Sequence, residues 1–415
     1  MTADASARRT GERMPHDEVA ALTRRLVGVD ATNPSLVPGG AGELQLADVI
    51  AGWLAARGFD VRMVGADPER PSVLARRRGS GGGRTLMLAG HLDTVGGPGT
   101  GVGVAGAVAD AAPSAEPDAR SEHRPGPDRI VGRGEPARHV VRAAAMIAAA
   151  AASDCPGDLV LAFASDEEFG SVGMEELLAA IDADAAASAE TSPRPDAAIV
   201  LEPTDLEVTL AHRGFAWYRV EYDGLAAHGS QPELGVDAID RALDGLVALR
   251  ALGSELAARP RHPLLGTGSV RVATIEGGTD AATVADRCVL VVERRTLPGE
   301  PDPGAELERV LAPSMPSRVV PLVARPAMEA DADSPIARAV LAAVGRATGA
   351  PPERRGDPWW TDAGLIGEAG IPVVLVGPVG GGAHADVEWV STDSLGTLVE
   401  VVEEAIRAFC DENGR

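Results

Sequence analysis

Four polar motifs follow short apolar segments of this sequence. Their side chains are imidazoles and carboxylates, the groups that bind zinc and similar divalent metals in proteins. They are His91 and Asp93 after TLMLAG, Glu167 and Glu168 in the DEE that follows LVLAFAS, Glu202 after AAIVL, and His384 a glycine-rich loop after IPVVLVG. Residues of these types can hold a metal ion and move a proton, so their chemistry is metal-assisted hydrolysis.

Each apolar segment is short and continuous, which is typical of a strand buried on both faces. In an open α/β sheet, ligands bind outside the carboxyl ends of such strands. Each motif alone is equally well explained as a polar turn or a helix cap. Together, two histidines and two or three carboxylates at one sheet edge predict a zinc or mixed-metal site.

Roles for these residues follow from their chemistry. We expect His91 to bind the metal through one ring nitrogen while Asp93 accepts a hydrogen bond from the other. The adjacent Glu167 and Glu168 are not expected to point at the same ion, so one binds it and the other takes a proton from the water that the metal activates. Glu202 and the second histidine complete the ligand set.

The elements that position these motifs form two kinds of unit. Strand–helix alternation over residues 14–205 and 322–412 predicts an α/β catalytic domain. Strands around a long helix predict an inserted α+β domain over 206–321. Residues 96–128 are rich in Gly, Ala, Pro and acid without periodicity, and we expect a flexible loop insertion there. Helices are expected at 16–28, 43–57, 138–152, 172–183, 235–258 and 391–410.

Composition excludes several classes of function. The net charge of −23 and the aromatic content of 3% disfavour nucleic-acid binding and anionic membranes. The chain contains no lysine, which excludes Schiff-base chemistry and a P-loop. It has no apolar run long enough to span a membrane. Its three widely spaced cysteines predict free thiols, and we expect a cytoplasmic protein.

The chain resembles the acetylornithine deacetylase, succinyl-diaminopimelate desuccinylase and glutamate carboxypeptidase family over nearly its whole length. The segments that carry the resemblance occur in the family's order and spacing. They are GHLDTV (90–95), GRG (132–134), SDEEFGSVG (165–173), LEPTD (201–205), GLAAHGSQPELGVDAI (224–239), IEGG (275–278), RRTLPGE (294–300) and AHADVE (383–388).

The resemblance implies a zinc-peptidase-like catalytic domain with an inserted α+β dimerisation (lid) domain, and hence a homodimer. It implies that His91 and Glu202 hold one zinc ion, that Glu168 and His384 hold the other, and that Glu167 is the general base. Cobalt or manganese could replace zinc in such a site.

Two further residues take roles from the resemblance. His228 corresponds to the histidine that stabilises the developing oxyanion in a partner subunit's site. Arg295 corresponds to the arginine that grips the substrate carboxylate, a task suited to a guanidinium group. The implied substrate is a small carboxylate-bearing N-acyl amino acid or peptide.

The sequence departs from the family in the segment that follows GRG. The family carries an aspartate that bridges the two metals, and Ala137 stands at that position. Three outcomes remain open: Glu135 or His139 substitutes as a ligand, the site holds a single ion, or metal chemistry is lost. The altered segment 282–286 also lacks the family's substrate-binding asparagine.

Two functions are therefore carried forward. The first is a metal-dependent hydrolase that cleaves the amide bond of an N-acyl amino acid or small peptide. The alternative is a non-hydrolytic relative, either a binding protein or a biosynthetic catalyst, and it is motivated by Ala137. A third possibility, a structural or interaction protein, is disfavoured by the presence of both histidines and of Glu167 and Glu168.

Overall fold

The computed structural model describes residues 14–96, 129–133, 143, 146, 148–150, 155–188, 193–382 and 387–411. The chain divides into two compact units. Unit 1 comprises Met1–Leu210, Ala330–Arg355 and Thr361–Arg415, and unit 2 comprises Ala211–Glu329 and Gly356–Trp360. Apart from Gly96, the predicted loop insertion 96–128 lies outside the described residues. That the units act as catalytic and dimerisation domains stays a prediction.

The described α-helices are α1 (His16–Val27), α2 (Leu44–Ala55), α3 (Val172–Ala187), α4 (Ala238–Ala258), α5 (Pro303–Leu311), α6 (Pro335–Thr348), α7 (Ala363–Glu368) and α8 (Thr392–Asp411). Short 3-10 helices cover Pro232–Leu234 and Ala312–Ser314. Residues 143, 146 and 148–150 are also helical and fall within the helix expected at 138–152.

The first strands in chain order are β1 (Asp60–Val64), β2 (Ser72–Arg77), β3 (Leu86–His91), β4 (Arg129–Arg133), β5 (Leu159–Ala164), β6 (Ala197–Val200) and β7 (Val208–His212). Those that follow are β8 (Gly214–Asp223), β9 (Ser269–Gly277), β10 (Arg287–Thr296), β11 (Arg318–Arg325), β12 (Met328–Glu329), β13 (Arg354–Asp357), β14 (Val373–Leu375), β15 (Gly380–Gly381) and β16 (Val387–Ser391). The mixed α/β class expected from the sequence is confirmed.

Helix boundaries coincide with residues that satisfy the free backbone groups at helix ends. The Asp237 side chain accepts the first N–H groups of α4. Ser334 caps α6 in the same way, and Pro335 occupies its first turn. Gly349 ends α6 in the left-handed conformation, with φ of 72°. Local sequence therefore sets where these helices start and stop.

The main sheet of unit 1 runs in the order β1-β2-β5-β3-β6-β14-β7. The pairs β5–β3, β3–β6 and β6–β14 are parallel, whereas β1–β2, β2–β5 and β14–β7 are antiparallel. All residues of β3, β5 and β6 are buried because helices cover both faces of a central parallel sheet. The carboxyl ends of four neighbouring strands consequently meet along one edge.

Helices and a small sheet complete unit 1. Helices α6 and α8 pack against each other, α1 packs against α8, and α3 packs against β5. Strands β15, β16 and β4 form a separate three-stranded sheet. One apolar core joins these layers and includes Leu88, Leu161 and Ile199.

Unit 2 contains a four-stranded antiparallel sheet in the order β11-β8-β10-β9. The buried residues of β8 and β10 alternate with less buried ones, which is the pattern of a sheet with one covered face. Helices α4 and α5 supply that cover, and the shared core includes Tyr222, Leu249 and Leu290. β9 stands at an edge of this sheet.

The three cysteines, Cys155, Cys288 and Cys410, are free and buried. Cys155 and Cys410 lie in the core of unit 1, where their thiols form a hydrogen bond with each other. No helix among the described residues is both long and apolar enough to cross a membrane.

A buried ion network lies in unit 1 around Arg70. Its guanidinium group donates to both Glu43 oxygens, at 3.0 and 2.6 Å, and to Asp166 Oδ1 at 2.9 Å. The same group donates to Asn33 Oδ1 at 3.0 Å. The Glu43 side chain has no exposed surface, so Arg70 provides the charge that compensates it.

We expect the substitution Arg70→Met to lower the free energy of unfolding by about 3–5 kcal/mol, because it leaves a buried carboxylate without its cation. Burial already raises the pKa of Glu43, and Arg70 opposes that rise. Without Arg70 the folded-state pKa moves further above the unfolded one. Stability is then lost as the pH rises, and urea titrations should show a larger deficit at about pH 8 than at about pH 5.

The matched control is Arg62→Met. Arg62 pairs with Asp184 at 2.5 Å, but the two side chains are 46% and 30% exposed, and we expect a loss of at most about 1 kcal/mol. Equal effects of the two substitutions would contradict the assigned role of Arg70.

Gly377 follows β14 and touches the backbone at the end of β6. A Cβ atom at Gly377 would lie 1.9 Å from the carbonyl oxygen of Glu202 and 2.5 Å from its carbonyl carbon. The Gly377 N–H also donates to Thr204 Oγ1 at 2.9 Å. Only glycine allows the two strand ends to approach this closely.

The substitution Gly377→Ala should therefore destabilise the protein by about 1–3 kcal/mol or more, because backbone must move to admit the methyl group. Gly52→Ala is the control: Gly52 lies in α2 with nothing within 4 Å of an added Cβ, and alanine there should be neutral or stabilising by up to about 1 kcal/mol. Thermal unfolding measures both, and a neutral Gly377→Ala variant would refute the contact.

Candidate metal centre

The predicted ligands stand at the carboxyl ends of three adjacent strands. His91 is the last residue of β3 and is in register with Ala164, the last residue of β5. Glu167 and Glu168 lie in the turn after β5, and Glu202 follows β6. Because β5, β3 and β6 are parallel neighbours, these side chains emerge at one edge of the sheet.

His91 is the centre of this cluster. Its Nε2 atom lies 3.9 Å from Glu167 Oε2, 3.9 Å from Glu168 Oε1 and 3.8 Å from Glu202 Oε1. All four side chains are less than a tenth exposed. One imidazole therefore faces three carboxylates in a site largely shielded from solvent.

These residues fit a metal ion. His91, Glu167 and Glu168 each offer a ligand atom, and the three atoms lie within 4.8 Å of one another. Nitrogen and carboxylate oxygen are ligands that zinc accepts. A buried excess of carboxylates over cations is costly unless a cation compensates it. Ligand type, spacing and charge thus agree with a divalent cation.

The two adjacent glutamates converge on one atom, since Glu167 and Glu168 both approach His91 Nε2. The expectation that one of them binds an ion and the other acts as the base stays a prediction. The reason for the convergence is the backbone of the turn. Asp166 is in the left-handed region with φ of 63°, and its carbonyl accepts the N–H groups of residues 169, 170 and 171. This tight turn lacks the alternation of a strand, so neighbouring side chains can share one direction.

The Asp93 side chain accepts hydrogen bonds from the backbone of this turn. Its Oδ1 accepts the Glu167 N–H at 3.0 Å, and its Oδ2 accepts the Glu168 N–H at 3.0 Å. Asn33 donates to Oδ2 at 2.8 Å, and His91 Nδ1 lies 3.3 Å from Oδ1. Burial by itself raises the pKa of Asp93, but these hydrogen bonds and the His91 interaction outweigh it and leave the pKa below its usual value.

The His91 ring is also oriented by a backbone contact. His91 Nδ1 also lies 3.0 Å from the backbone carbonyl oxygen of Asp93. A proton on Nδ1 can be shared between these acceptors, which leaves Nε2 free to bind a metal. The arrangement matches what a ligating histidine requires.

The environment of Glu167 raises the pKa of its carboxyl group. Burial is the main cause that raises the pKa of Glu167 well above its ordinary value. The charges of Glu168, Asp362 and Glu202 raise it further, whereas His91 lowers it. A carboxylate with a raised pKa is a stronger proton acceptor, which suits a general base.

Sequence reasoning missed several supporting residues, namely Asn33, Arg70, Asp166, Ser171 and Asp362. Asp362 is buried at the start of α7, and Ser171 Oγ donates to its Oδ1. Burial raises the pKa of Asp362 to about 7. The dipeptides Asn33-Pro34 and Thr361-Asp362 were visible in the sequence, but nothing local distinguishes them from ordinary caps.

The remaining predicted site residues either lie in unit 2 or fall outside the described residues. His384, Glu135, Ala137 and His139 are outside the described residues. His228 and Arg295 belong to unit 2, and their roles stay predictions.

Within unit 2 both of these side chains have partners. His228 is exposed, with Nδ1 2.8 Å from Ser230 Oγ. The Arg295 guanidinium group lies 2.9 Å from Glu293 Oε1 and 5.4 Å from the centre of the Phe215 ring. The Arg295 side chain is partly buried, so only part of it is exposed to solvent.

The chain is similar to known proteins in both sequence and fold. An acetylornithine deacetylase of Myxococcus xanthus is 30% identical over 417 residues, covering 94% of this chain and 97% of that protein. An aminopeptidase of Bacillus cereus superposes with a TM-score of 0.72 at 17% identity, covering 95% and 99% of the two chains. A dinuclear metal-binding peptidase of Bacillus subtilis superposes with a TM-score of 0.65 at 14% identity, covering 94% and 97%.

The two structural likenesses concern the fold, since both identities are low. The sequence evidence goes further, because the model of peptidase family M20/M25/M40 matches residues 87–408, which include every strand that carries a predicted ligand. The protein is therefore a hydrolase, and its chain belongs to peptidase family M20/M25/M40.

Proposed function

We propose that this protein hydrolyses the amide bond of an N-acyl amino acid or small peptide in a metal-dependent reaction. The observation that carries the proposal is the buried cluster in which His91 Nε2 faces Glu167, Glu168 and Glu202 within 3.9 Å. One imidazole nitrogen and three carboxylates at this spacing match the donor set of a catalytic metal site.

We assign His91, Glu168, Glu202 and His384 as metal ligands. Zinc is the proposed metal, in one or two ions, with cobalt or manganese as alternatives that use the same ligand types. When bound, the metal supplies a Lewis acid that polarises the scissile carbonyl group and makes water more acidic. Ala137 leaves open whether Glu135 or His139 contributes a ligand.

The chain's own residues move the proton. Glu167 takes the proton from the attacking water and returns it to the leaving amine. Asp93 holds the Glu167 and Glu168 N–H groups and faces His91 Nδ1, so it orients both the base and a ligand. Exclusion of water strengthens each of these interactions.

The substrate class follows from the family and from two residues of unit 2. Arg295 is proposed to bind a substrate carboxylate, and His228 to stabilise the oxyanion that forms during attack. The acetylornithine deacetylase of Myxococcus xanthus supports a deacylase reaction over peptide cleavage. The buried free thiols agree with the proposed cytoplasmic location.

The substitution Glu167→Gln should lower kcat at least about 100-fold while leaving zinc content unchanged, because it removes the base and keeps the shape of the side chain. A panel of N-acyl amino acids, assayed with zinc, cobalt or manganese, measures the effect. Glu175→Gln makes the same chemical change at an exposed position of α3 and should retain full activity. Wild-type turnover no higher than that of Glu167→Gln would exclude the hydrolase.

We also propose that the protein is a homodimer joined through unit 2. Helix α4 exposes Ile239, Leu243 and Val247, which are spaced four residues apart and form one apolar stripe. Ile275 of the edge strand β9 is 52% exposed. An apolar stripe beside an edge strand is a surface that proteins normally cover.

The substitution Val247→Asp should convert the dimer to monomers, since it places a charge within the apolar stripe. Sedimentation velocity at micromolar protein measures the mass. Met63→Asp, at an exposed apolar position of β1 in unit 1, is the control and should leave the dimer intact. A wild-type monomer, or a dimeric Val247→Asp variant, would contradict the assignment.

A further inference from the structure

Asp362 is a buried carboxylate that the reaction described above does not use. The residue is 2% exposed and precedes α7 in unit 1. Its Oδ1 accepts a hydrogen bond from Ser171 Oγ. Its Oδ2 is buried and has no hydrogen-bond partner among the described residues. A buried carboxylate oxygen without a donor is rare and calls for a compensating charge.

Ser171 connects Asp362 to the acidic turn. Ser171 is the N-cap of α3, it has a left-handed backbone with φ of 54°, and its N–H donates to the Asp166 carbonyl at 2.5 Å. It therefore closes the turn that carries Glu167 and Glu168. Asp93 holds the start of this turn, and Asp362 holds its end.

The position of Asp362 also places its charge at the metal centre. Its carboxylate interacts electrostatically with His91, Asp93 and Glu202, and it adds to the negative charge felt by Glu167. Asp362 thus acts on the proposed ligands through its charge and through its hydrogen bond with Ser171.

We propose that Asp362 is a positioning residue of the metal centre, which anchors the Glu167–Glu168 turn through Ser171 and adds carboxylate charge that attracts the cation. This inference rests on the proposed metal-dependent function. Residues that orient metal ligands without binding the metal commonly change metal affinity 10–100-fold. A purely structural cap would change folding stability and leave metal affinity intact.

Two substitutions separate charge from anchoring. Asp362→Asn keeps the size of the side chain and an oxygen that accepts from Ser171 Oγ, and it removes the charge. Ser171→Ala keeps the carboxylate and removes the anchor. We expect Asp362→Asn to weaken zinc binding about 10–100-fold and Ser171→Ala to weaken it less, by up to about 10-fold.

The thermal stability of the metal-free proteins is a second measurement, and the substitution should not lower it even though it weakens zinc binding. Without a cation, the buried carboxylate of the wild type is uncompensated, so Asp362→Asn should unfold at the same or a higher temperature than the wild type. Lower metal affinity together with unchanged or higher stability of the metal-free protein is a result that a cap alone does not produce.

Equilibrium dialysis of chelator-treated full-length protein against zinc, with the bound metal counted by mass spectrometry, measures the affinities. Asp182→Asn is the charge control: this residue is exposed on α3 and pairs with Arg194, and its substitution should leave zinc affinity unchanged. Zinc binding of Asp362→Asn equal to that of the wild type would overturn the role of Asp362 and leave the proposed function intact. A wild-type protein that binds no zinc would overturn both. A metal-free Asp362→Asn variant that melts well below the wild type would assign Asp362 a structural role instead.

Discussion

Buried negative charge at one edge of the parallel sheet is the constraint on which this site depends. Glu167, Glu168 and Glu202 surround the imidazole of His91, and all are largely removed from water. Carboxylates in such a position must be paired, protonated or compensated by a metal. The chain's own donors stabilise Glu43, Asp166 and Asp93 next to this cluster.

The donors that the chain supplies are specific. Arg70 forms ion pairs with Glu43 and Asp166. Asp93 accepts hydrogen bonds from Asn33 and from the backbone N–H groups of the Glu167–Glu168 turn. These interactions also fix a strained backbone, because Asp166 and Ser171 both adopt positive φ values that cost energy in residues other than glycine. The strain brings two consecutive glutamates to one point.

Much of the architecture could be predicted from local pattern. Continuous apolar segments identified β3, β5 and β6, since strands buried on both faces carry little else. Capping residues and apolar periodicity identified α1, α4 and α8 close to their observed bounds. The strand-end rule then placed His91, Glu167, Glu168 and Glu202 at one edge without knowledge of any distance. The helices Pro303–Leu311 and Pro335–Thr348 were not predicted individually, although each begins after a capping side chain with a proline in its first turn.

The sequence by itself determined which residue types follow each buried strand, and hence the class of chemistry. Only the tertiary structure decided that Glu167 and Glu168 converge on one nitrogen, and that Arg70, Asn33 and Asp362 support them. Arg70 and Asp166 are 96 residues apart, and Ser171 and Asp362 are 191 apart. Contacts across such separations depend on strand order and on backbone conformation at single residues. Neither leaves a periodic signal in the chain, because each arises from how whole elements pack together.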